Sequence, residues 1–329
     1  MFSSKSLIYP YKVAVNFEWT SKCNARCSMC PQHVIQNPQL MTGDIFYRAL
    51  SRINSGDVFR TVIAGYGEHT THHRFMEFTS AVGKHPGRFD LVSNGQLLDK
   101  KMLQHIEGNI ELLTLSFSSI KPDVYEKVHV NLDHDKVKAN IETAQKTLRR
   151  TALAISLTPL VECIETLPET IEWFQQRGIE KLTMSPTLYN RAGNMEQHQQ
   201  ASQQLREIIQ HYGLHSQELD FIPSVKDIAQ QYLRNQFKCA PRNSDLFIAS
   251  SGDYLYCYND IAHQQPFAHV DDVSIREALE KREKMAAISA ICDHCNMRNR
   301  YRGKEVLTVA KNYFFGKAKS ITAASLHRG

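Results

Sequence analysis

Three cysteines within eight residues constrain this chain more than any other feature of its sequence. Cys23, Cys27 and Cys30 follow the spacing C-x3-C-x2-C. Thiolates this close together on a short loop can converge on one soft metal centre. Three ligands suit an iron–sulfur cluster with one iron left open, because a closed cluster takes four cysteines. Zinc would need a fourth ligand, for which His33 is the local candidate, and a disulfide would leave one thiol over.

The composition is that of an ordinary globular chain. Of its 329 residues, 22% are charged and 42% are hydrophobic, and the net charge is +5. That charge is too small to indicate nucleic-acid binding, which usually requires a dense basic patch. No apolar stretch is long enough to predict a membrane span or a signal peptide. Because eight cysteines occur without an export signal, we expect metal binding in a reducing cytoplasm rather than disulfides.

Apolar segments alternate with amphipathic ones over the first two thirds of the chain. This alternation predicts an α/β fold built from parallel βα units. Thr42 is a candidate N-cap for the first helix, and Gly178 is a candidate C-cap for the fifth. Six units are too few for a closed eight-stranded barrel. The predicted strands are 13–20, 61–67, 89–95, 111–118, 152–159 and 181–186, and the predicted helices are 44–53, 73–82, 98–106, 136–149, 167–177 and 195–212.

The alternation of predicted strands and helices ends near residue 215, and a second set of cysteines follows. Residues 245–257 predict a hairpin that turns at 251–253, and residues 274–288 predict a short helix that begins at Ser274. A C-x2-C pair binds one metal atom or one face of a cluster, and two more thiols complete four ligands. A structural zinc ribbon is therefore a serious alternative to a cluster. The four cysteines are Cys239, Cys257, Cys292 and Cys295.

Polar residues and glycines stand where the predicted strands end. Glycines let the backbone approach a ligand closely, and the carboxylate of Glu68 can accept a hydrogen bond from an ammonium group. The guanidinium of Arg191 would suit a carboxylate. Each of these residues could instead belong to an ordinary solvated turn. They are Gly65, Tyr66, Gly67 and Glu68 after the second strand, Ser93 and Asn94 after the third, Ser116 near the end of the fourth, and Arg191 after the sixth.

Two further groups of reactive side chains are interpreted as structural. His69, His72 and His73 lie close together, but the sequence offers them no carboxylate or thiol partner nearby. We expect His72 and His73 to begin a helix and to be solvated. Cys163 lies outside both cysteine sets, and we expect a buried thiol, with a role on the substrate side as the alternative.

The first cysteine set, with Met29 in the apolar place of C-x3-C-x-Φ-C, resembles the signature of the radical S-adenosylmethionine (SAM) enzymes. The resemblance implies an open six-unit partial barrel and a 4Fe–4S cluster held by Cys23, Cys27 and Cys30. It also implies that the open iron binds SAM and that one electron cleaves SAM to a 5′-deoxyadenosyl radical. The strand-end residues named above, together with Met29, would then contact SAM. The sequence departs from the family's G-G-E-P pattern at Tyr66 and His69.

Within this resemblance the second cysteine set is similar to the Twitch or SPASM extension of the family, which holds an auxiliary 4Fe–4S cluster. A hairpin followed by a helix resembles the Twitch form, and no cysteines remain for a second auxiliary cluster. The implied organisation is a radical SAM barrel over 1–215, a cluster extension over 216–310 and a basic tail over 311–329.

The resemblance implies net oxidation of an unactivated C–H group, by dehydrogenation or cross-linking. Members of the group act on peptides and proteins, as the sulfatase maturases do, or on carbohydrates, as the butirosin dehydrogenase does. A peptide or protein substrate is our first expectation and a small molecule the alternative. The short segment before residue 13 would not hold a peptide-recognition domain, which favours the alternative.

An external donor such as flavodoxin or ferredoxin would supply electrons. A non-catalytic zinc or iron–sulfur protein is the remaining reading.

Overall fold

The computed structural model describes residues 12–157, 160–184, 199–214, 239, 242, 244–293 and 295 of the chain. Strands and helices alternate along it, as the sequence predicts. The six strands of the barrel are β1 (Val13–Phe17), β2 (Val58–Ile63), β3 (Phe89–Ser93), β4 (Leu112–Phe117), β5 (Ala152–Leu157) and β6 (Leu182–Thr183). Its helices are α1 (Gly43–Arg52), α2 (Phe75–Gly83), α3 (Lys100–Ile106), α4 (Pro122–Val128), α5 (His134–Thr147), α6 (Leu167–Gln176) and α7 (Gln199–Tyr212).

The C-terminal part adds three strands and two helices to the described chain. They are β7 (Asp245–Ile248), β8 (Asp253–Leu255), β9 (Pro266–His269), α8 (Ile275–Glu283) and α9 (Ser289–Cys292). None of the helices in the described ranges is long and apolar enough to cross a bilayer.

All nine strands form one sheet in the order β6-β5-β4-β3-β2-β1-β7-β8-β9. Strands β1 to β6 are parallel neighbours, and β7 is parallel to β1 on its other side. Strands β8 and β9 then continue the sheet in antiparallel fashion. The predicted α/β fold with a partial TIM-like barrel is therefore confirmed. The C-terminal hairpin extends the sheet of the barrel itself, while the expected boundary near residue 215 lies outside the described residues.

Several short elements were not predicted from the sequence, among them α4, β9 and α9. Helix α4 has only seven residues and begins with Pro122 in its first turn, so it offers no full amphipathic repeat. Strand β9 is a short edge strand that begins at a proline and has mostly half-buried residues. The second predicted strand also ends earlier than expected, because the chain turns after Ile63.

Aromatic side chains fix the start of the helical layer against the first strand. The hydroxyl of Thr42 accepts a hydrogen bond from the amide of Ile45, so the predicted N-cap of α1 is confirmed. Phe46 of α1 stacks on Phe78 of α2 with ring centroids 3.8 Å apart, and Trp19 meets Phe78 edge-on at 5.5 Å. Trp19 is fully buried. The chain that leaves β1 is therefore anchored before it reaches the first cysteine.

Two buried carboxylates join β1 to the C-terminal hairpin. The side-chain amide of Asn16 donates to both oxygens of Asp245, each at 2.7 Å, and burial raises the pKa of Asp245 to about 7. The Oε1 atom of Glu18 accepts from the amide of Tyr66 at 2.9 Å, and its Oε2 atom accepts from the amide of Ser250 at 3.2 Å. Glu18 thus links β1, the turn after β2 and the hairpin.

Tyr66 lies in a small hydrophobic cluster that is separate from the main core. Its ring is stacked against Phe247 at a centroid distance of 6.3 Å, and its hydroxyl donates to the carbonyl of Tyr258. The buried members of this cluster are Ile35, Tyr66, Phe247, Ala249, Leu255 and Ile261. The side chain that departs from the family's glycine therefore contacts the hairpin.

We expect Tyr66→Gly to loosen the hairpin, because it removes a buried aromatic ring at a cost of about 3–5 kcal/mol. Hydrogen-exchange mass spectrometry of the anaerobic holoprotein should show lower protection of the hairpin residues 245–257. Tyr66→Phe is the matched control, since it keeps the ring and loses one hydrogen bond, worth about 1 kcal/mol. Equal protection in the glycine variant and the parent would contradict this view of Tyr66.

Candidate active site at the carboxyl ends of the strands

The loop that carries the first three cysteines follows β1 and is held by backbone hydrogen bonds. The amide of Arg26 donates to the carbonyl of Val130, and the amide of Ser28 donates to that of Val128, both at 2.9 Å. Residues 128–130 form the end of α4 and the segment after it. The loop is therefore paired, through its own backbone, with a helix that lies a hundred residues away in sequence.

The thiols of this loop are half-buried and influence one another. Burial, with a smaller contribution from the neighbouring Cys30 thiol, raises the pKa of Cys23 to about 11 and that of Cys27 to about 12. Without a cation, Cys23 and Cys27 therefore stay protonated at neutral pH. A bound metal centre reverses that balance, because thiolates ligate only after they lose their protons. All eight cysteines of the chain are free thiols.

The turn after β2 passes very close to the cysteine loop. The amide of Glu68 donates to the carbonyl of Lys22 at 2.9 Å. A Cβ atom on Gly67 would come within 2.2 Å of the carbonyl oxygen of Thr20, and one on Gly65 within 2.5 Å of the side chain of Glu18. Glycine is therefore required at position 67 by the neighbouring backbone, and it is favoured at position 65 by the buried side chain of Glu18.

Glu68 is buried, and its carboxylate joins two strand ends. Its Oε1 atom accepts from the hydroxyls of Thr70 at 2.6 Å and Ser93 at 2.8 Å, and also from the amide of Thr70. Its Oε2 atom accepts from the amide of Asn94 at 2.7 Å. Burial raises the pKa of Glu68, and these bonds oppose that rise. Because each carboxylate oxygen can accept about two hydrogen bonds, Oε2 retains room for one more donor.

Ser93 and Asn94 fix the turn after β3. The hydroxyl of Ser93 is buried, donating to Glu68 and accepting from the amide of Gly95 at 3.0 Å. The side-chain amide of Asn94 donates to Asn24 in the cysteine loop at 2.8 Å. The structure therefore brings the ends of β2 and β3 together with the cysteine loop. A direct contact of either side chain with SAM remains a prediction.

The remaining predicted SAM contacts are less closely associated with this centre. Ser116 lies half-buried in β4, opposite Ser156 of β5. Met29 is half-buried and packs against the main hydrophobic core. The backbone amide of Tyr66 points at Glu18, as described above. Arg191 lies outside the described residues.

The structure corrects one prediction for the histidines that follow the turn after β2. His73 is exposed as expected, but His72 is buried rather than solvated. Its Nδ1 atom accepts from the amide of Arg74 at 3.0 Å, and its Nε2 atom lies 3.0 Å from the carbonyl of Met41. The helix begins only at Phe75, so His72 belongs to the packed segment before it. His69 is buried too, and burial lowers its pKa to about 3.

The structure adds a residue that the sequence analysis missed. His129 is almost completely buried, and its Nδ1 atom lies 3.4 Å from the Sγ atom of Cys27. Burial lowers the pKa of His129 to about 4. No local pattern could have revealed this pair, because the two residues are 102 positions apart and the preceding helix was itself missed. Cys163, by contrast, is buried as expected, and burial raises its pKa to about 12.

The second cysteine set lines a single cavity in the C-terminal part. Burial and the neighbouring thiols of Cys295 and Cys292 raise the pKa of Cys239 to about 12, while the guanidinium of Arg242 lowers it. The side-chain amide of Asn259 donates to the Sγ atom of Cys295 at 3.2 Å. The lining residues are Cys239, Arg242, Tyr256, Cys257, Ile291, Cys292 and Cys295.

Four thiols without a harder donor suit an iron–sulfur cluster or zinc. Within the described part of the chain, no three Cys, His, Asp or Glu side chains close on the position of a single ion. The donor chemistry fits a soft metal centre at the second set and a three-thiolate cluster at the first.

Comparison with known proteins places this arrangement in a family. The model of the radical SAM superfamily matches residues 17–183, which is just over half of the chain. A curated relative from Pyrococcus furiosus, the tungsten-containing aldehyde ferredoxin oxidoreductase cofactor-modifying protein, is 25% identical over 179 residues. That alignment covers 52% of this chain and 50% of the relative, so the chain spans about half the length of the curated protein it matches.

Solved structures share the fold at low sequence identity. SuiB from Streptococcus suis, bound to its precursor peptide SuiA, has a TM-score of 0.68 at 13% identity, covering 91% of this chain and 75% of SuiB. The enzyme anSMEcpe with bound AdoMet has a TM-score of 0.66 at 14% identity, covering 96% of this chain and all of that one. BtrN in complex with AdoMet and 2-DOIA has a TM-score of 0.52 at 16% identity, covering 90% and 91%.

The matched region begins at the end of β1 and includes the cysteine loop, the turn at Glu68 and the turn at Asn94. The chain therefore belongs to the radical SAM superfamily, whose members are enzymes that use a 4Fe–4S cluster and S-adenosylmethionine.

Proposed function

We propose that this enzyme oxidises or cross-links a peptide or protein substrate and carries a second, auxiliary 4Fe–4S cluster of the SPASM/Twitch type. One observation supports this proposal above all: the four cysteines of the second set line one cavity, next to a hairpin that extends the sheet of the catalytic barrel. An auxiliary cluster there would lie in the same continuous framework as the SAM site. It would supply an acceptor for the electron that a substrate radical must lose.

The residues of the barrel have distinct roles in this proposal. Cys23, Cys27 and Cys30 would hold the catalytic cluster, which would supply the electron for the reductive cleavage of SAM. The free position on Oε2 of Glu68 would accept a hydrogen bond from the amino group of SAM, and Gly65 and Gly67 let the backbone approach that group. Asn94 keeps the cysteine loop at a fixed distance from Glu68 through its bond to Asn24. Arg191 is proposed to pair with the carboxylate of SAM.

The residues around the second set are suited to a thiolate-rich centre. The buried guanidinium of Arg242 lies in the cavity and lowers the pKa of Cys239, so it favours the ionised thiol. The amide of Asn259 donates to Cys295. Both contacts stabilise negative charge on sulfur, which a structural or redox cluster requires.

A peptide substrate is supported by the solved structures of similar fold. SuiB is bound to a precursor peptide in one of them, and anSMEcpe to the Cp18Cys peptide in another. A small-molecule substrate is the second candidate, because BtrN, also similar in fold, is in complex with 2-DOIA. An external donor such as flavodoxin or ferredoxin would reduce the catalytic cluster.

The first prediction for this function concerns metal content. If both cysteine sets hold clusters, the anaerobic protein should contain about eight irons and eight sulfides, from two clusters of four each. Replacing Cys23, Cys27 and Cys30 by Ala should halve that content, and so should replacing Cys292 and Cys295. Cys163→Ala is the matched control and should keep the full content. Stoichiometric zinc with half the iron would mean that the second set is a zinc site.

The second prediction concerns Glu68. Glu68→Gln keeps the shape of the side chain but removes its charge, so SAM binding should weaken by about 1–3 kcal/mol, or roughly 5- to 150-fold in Kd. Iron content should not change. Thr70→Val is the control, because it removes one bond to Oε1 and leaves Oε2 in place. If the two variants bind SAM equally well, the effect of Glu68 comes from the turn and not from contact with SAM.

The third prediction tests the function itself. A candidate substrate peptide deuterated at the reacting carbon should transfer one deuterium to 5′-deoxyadenosine and lose a second hydrogen as a proton and an electron, as measured by mass spectrometry after anaerobic reaction with SAM and dithionite. The Cys292→Ala, Cys295→Ala double variant should still cleave SAM slowly, while the peptide remains unmodified. A thermal melt must accompany the assay, because loss of four-thiolate ligation destabilises the C-terminal part. Full product formation by a folded double variant would overturn the role given to the second cluster.

A further inference from the structure

The backbone pairing between the cysteine loop and the end of α4 sets one cysteine opposite one histidine. Arg26 and Ser28 donate to the carbonyls of Val130 and Val128. Cys27 lies between the two donors, and the residue between the two acceptors is His129. The contact between Cys27 and His129 therefore follows from an ordered pairing of two chain segments, and does not depend on one flexible side chain.

The contact has a defined donor once the thiol is a metal ligand. The Nδ1 atom of His129 is 3.4 Å from the Sγ atom of Cys27, within the range of a hydrogen bond to sulfur. A ligating cysteine is a thiolate and carries no proton, so it can only accept. The proton must therefore be on Nδ1. The Nε2 atom of His129 is buried and has no hydrogen-bond partner among the described residues, which leaves Nδ1 as the nitrogen with a partner.

We propose that His129 is a positioning residue of the catalytic cluster. Its Nδ1 atom donates a hydrogen bond to the sulfur of Cys27, which fixes that ligand and raises the reduction potential of the cluster. Hydrogen bonds to ligating sulfurs are among the factors that set the potential of an iron–sulfur cluster. They stabilise the more negative, reduced state more than the oxidised one. The proposal depends on the catalytic cluster alone and is independent of the auxiliary cluster.

The surroundings of His129 make the bond specific. Tyr125 lies one helical turn earlier, with its ring centroid 4.6 Å from that of His129. Its hydroxyl is buried and forms no hydrogen bond within the described part of the chain. The ring of Tyr125 thus limits the movement of the imidazole, and its hydroxyl, which is close enough to interact electrostatically with Cys27, forms no hydrogen bond to that sulfur.

The test is a potentiometric titration of the full, anaerobically reconstituted chain, followed by electron paramagnetic resonance. The catalytic cluster is identified as the component whose signal changes when SAM is added. His129→Leu removes the donor at similar volume, so the potential of that component should fall. His129→Asn retains an N–H group near the place of Nδ1 and should restore much of the parent potential. Tyr125→Phe is the matched control from the same helix face and should leave the potential unchanged.

An unchanged potential in a His129→Leu variant with full iron content would overturn the proposal. So would a fall of the same size in His129→Leu and His129→Asn, because the donor would then be irrelevant. If His129→Leu does not retain the cluster, the hydrogen bond is tested by pulsed electron paramagnetic resonance spectroscopy of the parent protein labelled with ¹⁵N-histidine. A weak ¹⁵N coupling to the reduced catalytic cluster that disappears in His129→Asn is expected, and its absence from the parent protein would contradict the hydrogen bond.

Discussion

The buried carboxylate of Glu68 holds together the turns that form the candidate active site. Removing a carboxylate from water is costly, and here four hydrogen bonds from Thr70, Ser93 and Asn94 offset that cost. The side-chain amide of Asn94 connects this network to the cysteine loop by its hydrogen bond to Asn24. The positions of the cysteine loop, the second turn and the third turn are therefore coupled before any cofactor is considered.

A second buried carboxylate, that of Glu18, extends this coupling to the C-terminal hairpin. Glu18 accepts from the turn that contains Tyr66 and from Ser250, next to the hairpin turn. The ring of Tyr66 adds hydrophobic contacts to the same junction. This explains why a bulky residue is accepted where the family's pattern has glycine: the flanking Gly65 and Gly67 preserve the close backbone approach, while the side chain of Tyr66 faces the hairpin.

Features with a local signature could be predicted from the sequence, and features that depend on distant contacts could not. The cap at Thr42 and the positive φ of 70° at Gly178 after α6 were both predictable, because residue type and position suffice. The cysteine spacing likewise indicated the family. His129 had no signature of its own, since its function comes from pairing with a segment far away in sequence. His72 was predicted to be solvated because polar residues before helices usually are, and packing reversed that expectation.

Buried charged groups act on both cysteine sets. Glu68 adds to the effect of burial in raising the pKa of Cys23 and Cys27 at the first set. At the second set the guanidinium of Arg242 lowers the pKa of Cys239, whereas Asp245 raises that of Cys257. Because nearby charge and hydrogen bonds to sulfur help to set cluster potentials, these side chains and His129 are the groups through which the chain would adjust the two clusters. On the proposed function, the cation at Arg242 would favour acceptance of the electron that the substrate radical loses.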